Sequence, residues 1–110
     1  MYNGAAQRSA VAVASELADV FNQLYGNVEK ADVGQIHMAL RAAWVRAERE
    51  FAAAGALDES RRQLLSNAEA ELQVAHLAAE NQQPGDAINA LKRAAGRINA
   101  LVADVMGKMG

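Results

Sequence analysis

Two histidines, His37 and His76, are the side chains with the widest chemical range in this chain. An imidazole can hold a metal ion, carry a phosphoryl group or move a proton near neutral pH. His37 lies in the stretch QIHMALRAAWVRAEREF, residues 35–51, beside the single tryptophan, Trp44, and a dense run of arginine and glutamate. His76 is followed four residues later by Glu80, the nearest candidate for a third metal ligand. Bundle metal sites generally carry Glu-x-x-His pairs on facing helices, and no Glu-x-x-His occurs here. The histidines therefore make a weak metal pattern, and half-buried helix edges also use histidine structurally.

Other chemistry is sparse. With no cysteine in the chain, disulfides, thiolate metal sites and cysteine nucleophiles are excluded, which suits a reducing compartment. Ser9, Ser15, Ser60 and Ser66 stand in no nucleophile-elbow context. Gly34, Gly55, Gly85 and Gly96 are isolated and make no phosphate loop. These residues imply no cofactor and no catalytic constellation, so the expectation is a protein that is not an enzyme.

The histidines must be positioned by helices. The chain has 110 residues, 52% of them hydrophobic but only 5% aromatic. Alanine supplies much of that difference, and alanine is the best helix former. Four amphipathic segments follow from apolar residues at spacings of three and four. The first spans about 5–25, with Val13, Leu17, Val20, Phe21, Leu24 and Val28 in its stripe and Gly26 as its expected left-handed cap. The second spans about 33–54 behind Asp32 as N-cap. Its stripe is Val33, Ile36, Leu40, Ala43, Trp44, Ala47, Phe51 and Ala54, with Gly55 ending it.

The third segment spans about 59–81 behind Asp58, with Leu57 as a staple residue and a stripe of Leu64, Leu65, Ala68, Leu72, Ala75 and Ala79. NQQPGD breaks the pattern, and Asp86 is read as the cap of a fourth segment, about 87–106. Its stripe runs through Ile88, Leu91, Ala94, Ala95, Ile98, Leu101, Val102 and Val105. Short connections make neighbouring helices antiparallel. The predicted fold is all-α: one domain, residues 1–110, forming an antiparallel up-down-up-down four-helix bundle. The alternative is two helical hairpins completed by dimerisation.

In such a hairpin His37 and His76 fall at the same height on either side of the AGALD turn. Depending on the hand of the bundle, they face each other or both turn away. If they meet, a metal-binding or phosphotransfer-like role becomes conceivable. Histidine phosphotransfer domains are also small four-helix bundles, and their motif runs His, any residue, Leu, Lys, Gly. Here His37 is followed by Met38, Ala39, Leu40, Arg41 and Ala42. The leucine and the base come one place late, about 100° round the helix, and the glycine is missing. No family is recognised from this motif.

The outer faces hold a second signal. Opposite the core stripe of the second segment lie Met38, Ala42, Val45, Arg49 and Ala52, and opposite that of the third lie Val74 and Leu77. A helix with two apolar faces is central or has a partner. The outer faces of the first and fourth segments read as ordinary. The expected function is protein–protein interaction or self-association through Met38, Val45, Arg49, Val74 and Leu77, edged by Arg41 and an acidic sector near Glu69. The expected partner is another protein or a second copy, as in a homodimer. A weaker alternative is a small-ligand cavity around Trp44 and Phe51.

Net charge is −2, which gives no electrostatic reason to expect nucleic acid. Lys92, Arg93 and Arg97 form a loose basic set that reads better as a solvated face. No window approaches the roughly 18 apolar residues of a membrane span, and AVAVA is too short for a secretory core. The expected location is cytoplasmic.

Overall fold

The computed structural model describes residues 4–26 and 32–107. They form four helices: α1 (Gly4–Gly26), α2 (Val33–Ala53), α3 (Glu59–Glu80) and α4 (Pro84–Gly107). Among the described residues there is no strand. The architecture is a compact all-helical four-helix bundle.

The helix ends follow local chemistry. Asp32 and Asp58 are N-caps, each accepting from the backbone N–H three residues on: Gln35 at 3.2 Å and Arg61 at 2.8 Å. Those bonds satisfy first-turn amides that have no partner inside the helix. The C-termini of α2 and α3 close with the same motif. Gly55 N donates to Ala52 O and Ala56 N to Phe51 O; Gln82 N donates to Ala79 O and Gln83 N to Ala78 O. This paired pattern needs a left-handed residue after the cap. Gly55 takes it at φ 70°, and Gln82 takes it at φ 59° without glycine's freedom.

Three sequence expectations about ends and stripes need correction. Gly26 is the last residue of α1 and has no positive φ. Asp86 is not the cap of α4; the helix begins two residues earlier at Pro84, and Asp86 sits in its first turn. Proline suits the first helical position, where its missing N–H would be unpaired anyway and its φ is already helical. In α3 the stripe ends on buried Ala78, not on Ala79, which is exposed. Alanines stand at 78 and 79 alike, so side-chain size gave no way to choose between them. Val28, assigned to the first stripe, lies outside the described residues.

The core is otherwise as the periodicity reads. Val13, Leu17, Val20 and Leu24 of α1 meet Ile36, Leu40 and Phe51 of α2, Leu65 and Leu72 of α3, and Leu91, Ile98 and Leu101 of α4 in one buried cluster. Among the described residues no polar or charged residue is buried. Phe21, Val33, Trp44, Ala54, Leu64 and Ile88 pack against this core while partly exposed.

The helices are not evenly spaced. Backbone approach is densest between α3 and α4 and sparsest, among touching pairs, between α2 and α3. α2 also touches α4 across the bundle, whereas α1 and α3 do not meet. Trp44 reaches Leu65 and His37 reaches Leu72, so numbering falls on α3 as it rises on α2, and that pair is antiparallel. Arg61 with Asp104 and Arg93 with Glu71 show the same for α3 and α4.

Candidate interaction surface

The seam between α2 and α3 is where the sequence placed its chemistry. It is spanned by two ring nitrogens. Trp44 Nε1 donates to the Leu65 carbonyl at 2.8 Å, and His37 Nε2 lies 3.1 Å from the Leu72 carbonyl. A carbonyl oxygen only accepts, so Nε2 of His37 carries the hydrogen. Donors and acceptors are each separated by seven residues, two helical turns, so both bonds follow from one antiparallel register. Each carbonyl also accepts its own helical N–H, using its second lone pair for the ring.

The two histidines meet. Their ring centroids are 6.0 Å apart and the planes are inclined at 44°. That resolves the alternative left open by the sequence. His37 is half-buried, whereas the His76 side chain is 62% exposed and its Nε2 lies 3.0 Å from Glu80 Oε1. Among the described residues no group of three metal-ligating side chains comes together. Neither ring bonds a serine; their partners are Leu72 and Glu80.

The four apolar residues assigned to the outer surface are exposed: Met38 at 72%, Val45 at 44%, Val74 at 45% and Leu77 at 57%. They do not share one groove. Met38 and Val45 line a groove between α1 and α2, together with Asp19, Ala42 and Arg49. Val74 and Leu77 line another, between α3 and α4. Leu77 also borders the cleft between α2 and α3, with His37, Arg41 and His76. The surface is therefore two apolar strips separated by a polar one. Arg41 is held over the Trp44 ring, 5.5 Å from its centroid. Arg49 makes no ion pair among the described residues. Glu69 lies away from both strips, in a groove with Trp44, Glu48 and Arg62.

α1 and α4 are less ordinary outside than the sequence reading held. Val11, Tyr25 and Met106 are also exposed. Of these, Tyr25 stacks on Phe21 and lies under the Lys92 ammonium, 4.6 Å from the ring centroid. The basic set of α4 is engaged internally: Arg93 Nε donates to Glu71 Oε2 at 2.7 Å, with Arg97 at 3.9 Å from the same oxygen. Those contacts reduce the free positive charge on that flank.

Two residues that read in the sequence only as scattered surface charges join helices in the structure. Arg61, only 12% exposed, donates to Asp104 on α4 at 2.7 Å and to the Ala56 carbonyl in the preceding link at 2.6 Å. Glu71 gathers both α4 arginines. Their partners are set by register between helices, which no local pattern encodes. Arg46 meets Glu50 one turn on at 3.5 Å, as residues four apart on a helix can, and also reaches Glu16 of α1 at 2.8 Å. Around Trp44 and Phe51 there is a surface groove beside the tryptophan, and Phe51 itself is fully buried.

No family model, curated protein or solved structure matches this chain. Among the described residues no helix is long and apolar enough to cross a membrane.

Proposed function

We propose that this bundle is a non-catalytic interaction module, docking protein through the outer strips of α2 and α3, with a second copy of itself as the first partner to test. The observation that carries the reading is the exposure of Met38, Val45, Val74 and Leu77 on those two helices, with Arg49, which makes no ion pair among the described residues, beside the first pair. Single exposed apolar residues are ordinary. Large apolar side chains grouped along a groove and flanked by arginine are what interfaces use. The two strips suit a partner that straddles the α2–α3 seam and touches both, while the polar strip between them supplies orientation.

Light scattering across a concentration series tests this directly. A concentration-dependent dimer is expected. Val45→Glu and Leu77→Glu are each expected to return it to monomer while the melting transition stays within about 0.5 kcal/mol of the parent, as for exposed sites. A dimer that persists in both variants would place the interface elsewhere. A monomer at every concentration would reject self-association.

A further inference from the structure

The histidine pair has a feature that docking does not use. His37 Nε2 donates to a backbone carbonyl, so in the neutral ring Nδ1 keeps its lone pair. His76 Nε2 faces a carboxylate oxygen of Glu80 at 3.0 Å, which holds the hydrogen on Nε2 there too. Both rings are thus set in one tautomer by acceptors behind them, and both Nδ1 atoms are left as bases. Histidines that ligate metals show this arrangement, donating the opposite N–H to a carbonyl or a carboxylate.

We propose that His37 and His76 form a two-imidazole site for a borderline divalent cation of the zinc, nickel or copper class, bound through Nδ1 of each ring. Two imidazoles held at metal–nitrogen distances of about 2.0–2.1 Å and a tetrahedral angle bring their centroids to about 5 Å. The observed separation is 6.0 Å, so the exposed His76 ring has to move by about 1 Å to close on the ion. One ligand comes from α2 and the other from α3, so the ion joins the least intimate seam of the bundle. Imidazole nitrogen selects this class of cation over magnesium or calcium, which prefer oxygen.

The surroundings set the strength. No third ligating side chain gathers here among the described residues, so water completes the coordination and binding is weaker than at a closed four-ligand site. Arg41 borders the same cleft and opposes a cation. Its guanidinium lies over Trp44, and the Glu80 carboxylate behind His76 acts in the opposite sense.

The test titrates zinc chloride into the full chain, read by calorimetry and by nitrogen-15 spectra of the imidazoles. The metal-free protein is expected to show both rings protonated at Nε2. Saturable binding of one zinc per chain should then perturb Nδ1 of both rings. His76→Ala alters an exposed side chain and leaves the core intact; it is expected to weaken binding at least about tenfold, and Glu80→Gln by about tenfold through the lost orienting contact. Three results would overturn the site: a hydrogen on Nδ1 of either ring in the metal-free protein, no saturable binding up to about 1 mM zinc, or zinc bound equally well by the His76→Ala variant.

Discussion

Helix α3 belongs to two hairpins, and the two are built on different principles. Toward α4 the contact is close and alanine-rich. In the register fixed by Arg93 with Glu71 and Arg61 with Asp104, buried Ala75 falls level with Ala90, and Ala78 with Ala87. Toward α2 the backbones stand further apart, and rings fill the gap: His37 and Trp44, each ending on an α3 carbonyl. Small side chains let helices approach and gain dispersion contact without direction. Rings hold helices apart and add direction through a hydrogen bond. The wide seam is also the one flanked by exposed apolar residues and crossed by the histidine pair.

The largest expected effect comes from spoiling the close seam. Ala90 is fully buried, so Ala90→Leu forces extra volume between α3 and α4. Chemical denaturation should show a loss of about 1–3 kcal/mol. A neutral result would mean that the seam has slack and that the contrast between hairpins is overdrawn. The wide seam should be more forgiving. Trp44→Phe keeps most of the ring and removes the donor to Leu65 O; because that carbonyl keeps its helical N–H, the loss should be only about 0.5–1.5 kcal/mol. A much larger loss would show that the ring bonds govern this hairpin's stability.

The turns sharpen the comparison with the smallest effect and the opposite sign. Both hairpins close with the same backbone motif, but the α2–α3 turn has Gly55 at the left-handed position and the α3–α4 turn has Gln82. Gln82→Gly should raise the melting temperature, adding about 0.5–1 kcal/mol by removing a side-chain clash at positive φ. No gain would indicate that the added freedom of glycine in the unfolded chain offsets the relief.

The sequence was informative where side-chain size or chemistry differed sharply from one position to the next. Leu17, Leu40, Leu72 and Ile98 stand out against polar neighbours, and all are buried. Asp32, Asp58 and Gly55 announce their ends and occupy them as expected. The alanine-rich stretches were ambiguous, because alanine is acceptable on either face; hence Ala79 was chosen over Ala78. Pro84 was read as a breaker although it opens the helix, since proline serves both purposes. For the surface, exposure of Met38, Val45, Val74 and Leu77 was legible from the helical wheel. Their division between two grooves was not, because it depends on how neighbouring helices are rotated. The meeting of His37 and His76 needed the hand of the bundle, which pattern alone does not carry. Arg61 and Glu71 looked like surface charges until register brought them to Asp104 and to the arginines of α4.

The alanine seam also bears on how the chain reaches this fold. Ordering an alanine side chain gives up no rotamer freedom, whereas long side chains forfeit up to about 2 kcal/mol each. The link Asn81–Gln83 is shorter than Ala54–Asp58, so bringing α3 and α4 together also closes the smaller loop. Local contacts of that kind form early in helical proteins. Assembly is thus expected to begin at α3 and α4, with α2 arriving afterwards to set His37 and Trp44 against a scaffold already in place.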